Sequence, residues 1–418
     1  MRILIICYLY PPEVAPAGLM VRELAEDLAA AGHDVTVLTG WPSHPKGTLY
    51  KGWRARFRQV QRDPKGFKVI RCGHALRPRF RPLGRLWYYL TFALSSFING
   101  LATGRIDAIY NDSTPIFGVF SAWLLSKCKG ARVVYSIHDL FPESARNAGL
   151  MREGLVYRLL RAQDAWLCRH SDVVVTLSEN MKRGIEARGV NGEKVRVVPL
   201  WLDPRKVTPR DRDNPWRRSQ GIPPETFVAL YAGTIGYISG AEILLDAAQA
   251  LRDREDILLL VVGEGPVKET LRSRSAEMGL TNMRFLPFQP AELLPDMQAT
   301  GDVGLVTLLP EAGETSVPSK VLGYLAAGRG VIASVRQGCP TERVLREGHC
   351  GVVVPPQDGV ALAQAIRRAA DDKECIRRWG RNARALFERR FNRDRCTQQY
   401  AALLACERGK RSTGRAGR

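Results

Sequence analysis

The sequence predicts an α/β protein made of two doubly wound, Rossmann-like domains. Three observations carry that expectation. The chain has 418 residues, too many for one ordinary core and suited to two domains of about 200 residues each. Short β-branched runs alternate with amphipathic helical stretches, the pattern of parallel strands joined by crossover helices. Gly-bearing turns close several of those runs, where sheets of this kind meet their ligands.

The chain opens on "RILIICYLY", with one Arg, a short apolar run and no small-residue cleavage site after it. It reads as a strand, not a signal peptide. In "GLMVRELAEDLAAAGH" the residues Leu24, Leu28 and Ala31 share one helical face, and Gly32 supplies the stop. Further strands follow in "DVTVLTG", "KVIRCG", "DAIYND", "ARVVYSIHD", "SDVVVTLS" and "KVRVVPL".

Residues 51–102 stand apart. Lys51 to Arg85 hold twelve Lys or Arg against one acid, Asp63, with Trp53, Phe57, Phe67 and Phe80 between them. Leu86 to Ala102 is an apolar run of 17 residues containing Ser95, Ser96 and Asn99. That length is marginal for a bilayer core of about 30 Å, so the run reads as a buried or half-buried helix. The basic, aromatic-studded segment beside it suits an anionic membrane surface, or else is a solvated face.

A Pro- and charge-rich stretch, Asp203 to Pro223, separates the halves. The second half has strands in "TFVALYAG", "DILLLVVGEG", "MRFLPF", "VGLVTL", "GVIASV" and "GVVVP". The expected division is an N-terminal domain over 1–205, a C-terminal domain over 206–385, a helix over 386–406 packing back toward the N-terminal domain, and a disordered basic tail, 407–418.

The formal charge of +20 implies attraction to polyanions. No recognition-helix or RNA-binding motif accompanies it, so no specific nucleic-acid partner is expected. Nine cysteines are scattered without a C-x-x-C pair, which disfavours a zinc ribbon or disulfide framework and fits a reducing, cytoplasmic compartment. There is no G-x-G-x-x-G and no G-x-x-x-x-G-K-[ST], against a nicotinamide oxidoreductase and a P-loop NTPase. No D-x-D stands at a strand end; "DRD" at Asp211 to Asp213 lies in the linker, and no metal is expected.

The stretch "VPSKVLGYLAAGRGVIAS" reads as loop, helix and strand, with Ser319 and Lys320 in the first helical turn. A hydroxyl and an ammonium at a helix start form an anion site. Gly18 and Gly236, on turns after strands, can present main-chain N–H groups without a Cβ in the way.

These motifs, in this order, resemble the GT-B glycosyltransferases, and more narrowly the retaining family four, which includes bacterial transferases that build cell-surface polysaccharides. The segments that carry the resemblance are "YPPEVAPAGLMVRELAEDLAAAGHDVTVLTGWPSHPKG", "SIHDLFPESA", "VPLWLD", "YAGTIGYISGAEILLDAAQAL", "VVGEGPVKETL" and "VPSKVLGYLAAG". The resemblance implies two domains facing across a cleft and transfer of a hexosyl or N-acetylhexosaminyl unit with retention and without a metal. It implies no cofactor: a UDP- or GDP-sugar is the donor substrate and a glycan or lipid-linked glycan the acceptor. Donor contacts fall on Gly18, Gly236, Glu264, Ser319, Lys320 and Glu342, and acceptor-side positions on Glu13, His44 and Asp139. His138 is the residue that nears the transferred sugar, and Glu143 reads as structural.

The chain departs from the family at its paired glutamates, which lie eight residues apart. At those positions stand Thr315 and Gly323, and no carboxylate lies between Ser316 and Thr341. Glu314, one residue out of register, is the substitute catalytic carboxylate, with Glu311 a weaker one. Glu342 or water is left to hold the ribose. A nucleotide-sugar 2-epimerase on the same fold and a degenerate, non-catalytic nucleotide-sugar binder are the rival readings; the acid-poor loop disfavours the first, and Gly323 supports the second.

Overall fold

In the computed structural model, residues 1–13, 15–44, 46–76, 82–113, 117–147, 151–311 and 317–406 are described. The chain forms two compact units, Met1–Val198 together with Thr397–Arg418, and Pro199–Cys396.

The first unit opens with β1 (Arg2–Ile6), α1 (Pro16–Ala30), β2 (Asp34–Thr39), β3 (Arg58–Arg62), β4 (Lys68–Cys72) and α2 (Pro82–Leu101). It continues with β5 (Ala108–Asp112), α3 (Gly118–Lys129), β6 (Arg132–Ile137), α4 (Glu143–Asn147) and α5 (Leu155–His170). Next come β7 (Val173–Thr176), α6 (Glu179–Glu186) and β8 (Val195–Val197). The sheet order is β3-β4-β2-β1-β5-β6-β7-β8, parallel except for β3. Strand β3 was not foreseen. It is an antiparallel edge strand inside the basic segment, and its "RQVQR" presents no buried residue.

The second unit runs α7 (Pro215–Ser219), β9 (Phe227–Ala232), α8 (Ile243–Ala250), β10 (Ile257–Val262), α9 (Lys268–Glu277), β11 (Met283–Leu286) and α10 (Leu294–Thr300). It proceeds through β12 (Val303–Thr307), α11 (Ser319–Ala326), β13 (Gly330–Ser334), α12 (Pro340–Gly348), β14 (Gly351–Val354), α13 (Gly359–Asp371) and α14 (Lys373–Arg390). Helix α15 (Arg393–Ala405) starts in this unit and continues into the first from Thr397. Its six strands lie in the order β11-β10-β9-β12-β13-β14, all parallel.

Burial on both faces explains the unbroken apolar runs of these strands. In β9, Val228, Leu230 and Ala232 point into one core cluster and Ala229 and Tyr231 into the other. Strand β10 divides the same way, Leu258, Leu260 and Val262 against Ile257, Leu259 and Val261. Both sheets reverse their order of growth between neighbouring strands: at β1 and β5 in the first unit, at β9 and β12 in the second. Ligands of doubly wound sheets settle at the carboxyl ends of such a pair.

Candidate functional site

In the second unit, β9 and β12 are in register only at Ala229 and Leu230, opposite Val303 and Gly304, so their carboxyl ends part. Tyr324 of α11 fills the gap. Its hydroxyl accepts from Ala232 N at 2.7 Å and lies 3.3 Å from Leu305 O, to which it donates. Gly304 makes this possible, because a Cβ there would stand 2.3 Å from the Tyr324 ring. Helix α11 is thereby fixed with its first turn over the end of β9.

That turn carries the two expected residues. Ser319 is exposed as the first helical residue, and Lys320 lays its ammonium 3.6 Å from the centroid of the Tyr231 ring. Burial alone pushes the Lys320 pKa down to about 7. Among the described residues no carboxylate or other hydrogen-bond acceptor meets its Nζ; the ring face is its one partner. A desolvated cation without a counter-ion is unfavourable until an anion arrives.

The loop after β9 borders the same space. Gly233 has φ of +139°, a conformation that favours glycine, and its Cβ position lies 3.4 Å from Lys320 Cε. The loop is tied by Ile235 N to Glu264 O (2.9 Å), Leu309 N to Ile238 O (3.2 Å) and Thr307 Oγ1 to Ser239 O (2.6 Å). Gly236 differs from its neighbours. Its φ is −99°, and a Cβ would meet only the Thr234 methyl at 3.9 Å. Among the described residues nothing demands a glycine there, whereas a ligand lying on the main chain would.

The remaining donor-side candidates stand elsewhere. Glu264 is half exposed and pairs with Lys268 Nζ at 2.8 Å, while its carbonyl holds Ile235. Glu342 reaches back to Gly338 N and so caps the start of its own helix α12. Its carboxylate is therefore engaged locally. Glu314 and Thr315 lie outside the described residues. At Gly323 a Cβ would come within 3.1 Å of Gln298 Nε2, so the side chain of α10 borders the space a glutamate would enter.

In the first unit, Gly18 at the start of α1 slips under the end of β1: a Cβ would be 3.0 Å from the carbonyl of Leu9. Glu13 is buried, and one of its oxygens accepts from Ser43 N at 2.9 Å and His44 N at 2.8 Å. It pegs the loop after β2, and His44 is held through its backbone, with its carbonyl accepting from Tyr50 Oη at 2.7 Å.

His138 follows β6, with Nε2 3.1 Å from Ser136 Oγ and Nδ1 3.7 Å from a carboxylate oxygen of Asp112, at the end of the adjoining β5. Its own N–H donates to Ser113 Oγ at 3.2 Å. Tyr400 of α15 adds its hydroxyl 2.8 Å from Ser136 Oγ. The ring is thus held through Nε2, with Asp112 near its other nitrogen, at the carboxyl edge of the sheet. Asp112, Ser136 and Tyr400 were missed by sequence reasoning. Asp112 had a signal, as the last residue of a strand; Tyr400, separated by 264 residues from Ser136, had none. Asp139 is exposed, just before α4. Glu143 pairs with Arg161 at 3.1 Å and with the buried Arg188, which also grips Asp164.

Comparison with known proteins places these units. Residues 17–201 match the glycosyl transferase 4-like domain, and residues 212–386 match the glycosyl transferases group 1. The chain is 30% identical over 416 residues to the Escherichia coli (strain K12) protein named as the colanic acid biosynthesis glycosyl transferase WcaI, covering 96% of this chain and 98% of that one. Sucrose-phosphate synthase from Thermosynechococcus elongatus superposes with a TM-score of 0.74 at 20% identity, covering 96% of this chain and 98% of that chain. Anabaena HepE in complex with UDP superposes at 0.71 and 18% identity, covering 97% and 99%. The last two likenesses establish the fold alone.

Proposed function

The chain belongs to the group 1 glycosyl transferases, and from that premise we propose that it moves a hexosyl or N-acetylhexosaminyl unit from a UDP- or GDP-sugar to a glycan or lipid-linked acceptor, with retention and without a metal. The pathway is assembly of a cell-surface polysaccharide, a reading supported by the Escherichia coli relative named for colanic acid biosynthesis. The work is done on the cytoplasmic face of the membrane, held there by anionic lipid.

One observation carries the reading: the Lys320 ammonium, lowered in pKa by burial and resting on Tyr231, at the switch point of the second sheet. In glycosyl transfer the departing diphosphate gathers charge as the glycosidic bond breaks. Donors oriented beforehand stabilise that charge most. Lys320, Ser319 and the main chain at Gly236 take that role here, and the main chain at Gly18 is a further proposed phosphate donor. His138, held by Ser136 with Asp112 nearby, is the residue for the sugar near its reacting carbon. Glu314 is the carboxylate proposed to face the sugar.

The test is transfer itself. Protein incubated with UDP- and GDP-sugars and a lipid-linked acceptor should yield product whose new linkage keeps the donor's anomeric configuration by NMR. Firm nucleotide binding without turnover on any pair would leave a nucleotide-sugar binder. A donor altered in the absence of acceptor would indicate an epimerase.

A further inference from the structure

Helix α2 buries a mixed face, with Tyr88 and Phe92 in the core beside its polar residues, and leaves a wholly apolar stripe exposed. A surface helix normally turns its polar residues to water and its apolar stripe to the core. In α2 polar residues are among the buried ones: Ser96 is 0% exposed and Asn99 2%. Asn99 Nδ2 donates to Ser95 O at 2.9 Å, and Ser96 Oγ reaches Ser121 Oγ of α3 at 3.2 Å, so their polarity is satisfied against the protein. The opposite face carries Leu86, Trp87, Leu90, Leu94, Ile98 and Leu101, all exposed, with Trp87 at 59% and Leu94 at 62%. From Trp87 on they recur every three or four residues and draw one stripe, about 22 Å long from Leu86 to Leu101 at the helical rise. From Leu86 to Gly104 there is no charged residue at all.

Such a stripe on a globular domain marks a surface for another apolar phase. Charge decides which. Cations border the helix: Lys129 Nζ sits on the carbonyls of Leu101 and Gly104 at 2.7 and 2.9 Å, Lys127 is exposed on α3, and Arg105 follows the helix. On the other side β4, which α2 packs against, is paired with the exposed basic edge strand β3. A second copy, itself at +20, would meet this surround with like charge, whereas anionic headgroups meet it with opposite charge. Among the described residues no helix is long and apolar enough to cross a membrane. The core-buried Tyr88 and Phe92, with Ser96 bonded to α3, keep α2 docked on the protein, so it can lie only along the interface.

We propose that α2 is a membrane-inserting helix, lying in the plane of an anionic bilayer with Trp87, Leu90, Leu94 and Ile98 in the acyl boundary and the neighbouring cations at the headgroups. The inference rests on the membrane part of the proposed function and adds the surface and the mode of attachment.

The experiment is vesicle flotation of the full chain with phosphatidylglycerol–phosphatidylcholine and with pure phosphatidylcholine vesicles. Leu94→Gln with Ile98→Gln changes exposed side chains, so melting temperature and nucleotide binding should stay unchanged. Partition into the anionic vesicles should fall by about tenfold or more, since several buried methylenes are lost from the interface. Brominated acyl chains should quench the tryptophan fluorescence of the natural chain, and Trp87→Phe should remove most of that quenching. Undiminished, salt-reversible binding of the double variant would overturn the role of α2 while leaving membrane attachment standing. A natural chain that binds no anionic vesicle would remove both. A solution dimer split by the same variant would assign the stripe to a second copy and overturn the proposal.

Discussion

Lys320 joins structure to chemistry through its proton. Its pKa, about 7 in the fold against an ordinary 10.5, means that between those values the folded chain binds fewer protons than the unfolded one. Stability from this group therefore rises with pH across that window and the penalty is fully present below it. A bound diphosphate stabilises the ammonium and reverses the shift. Calorimetry of UDP or GDP binding at pH 8, in buffers of different ionisation enthalpy, should thus report uptake of up to about one proton, and Lys320→Met should abolish it. Binding without proton uptake in the natural chain would detach the lysine from the phosphates. At Gly323 the absent carboxylate leaves the ribose hydroxyls without the family's partner. A 2′-deoxyribose donor should then bind nearly as well as the ribose form, within about threefold. A loss of about a hundredfold would mean that another polar group holds the ribose. The placement of Ser319 and Lys320 at a helix start and of His138 after a strand was legible in the sequence, because such ends announce themselves locally. Asp112, Ser136 and Tyr400 gather only through strand pairing and a distant helix, which local pattern does not encode.

Among the elements, the contact of α11 with β9 and β12 is the one on which the anion site depends. The Tyr324 hydroxyl takes a backbone N–H that the parted strands leave over, and Gly304 is the hollow that admits the ring. Gly304→Ala should destabilise the second unit by about 1–3 kcal/mol, the range for overpacking, since a backbone-fixed Cβ at 2.3 Å from a buried ring forces a shift. Tyr324→Phe should cost about 1–3 kcal/mol by orphaning Ala232 N. Denaturant midpoints measure both, and a midpoint unchanged in either variant would contradict the packing described. The sequence showed the flanking strands plainly, as β-branched runs buried on both faces. It did not show β3, whose alternating "RQVQR" lacks an apolar run and is half exposed at the sheet edge. Nor did it show which face of α2 is outward, because an apolar run with three polar residues suggests burial of the apolar side. Instead Ser96 bonds to α3 and Asn99 back to its own helix, beside the core-buried Tyr88 and Phe92, and the apolar stripe is left outward.

At the scale of the whole chain, the doubly wound class and the glycosyltransferase family were both readable from co-linear motifs, each a loop between strand and helix. What the motifs could not convey is the surround of the anion site proposed for the nucleotide: a desolvated lysine on a tyrosine ring, a glycine whose Cβ would meet only the Thr234 methyl, and an exposed helix start, all at one end of one sheet. The most direct measurement is titration calorimetry of UDP and GDP with the natural chain and with Lys320→Met, at fixed pH and salt. One nucleotide should bind the natural chain, and the substitution should raise its Kd by about tenfold or more, the loss of a charge-assisted hydrogen bond. An unchanged Kd for the nucleotide that binds, with the variant folded, would contradict the placement of the diphosphate at Lys320.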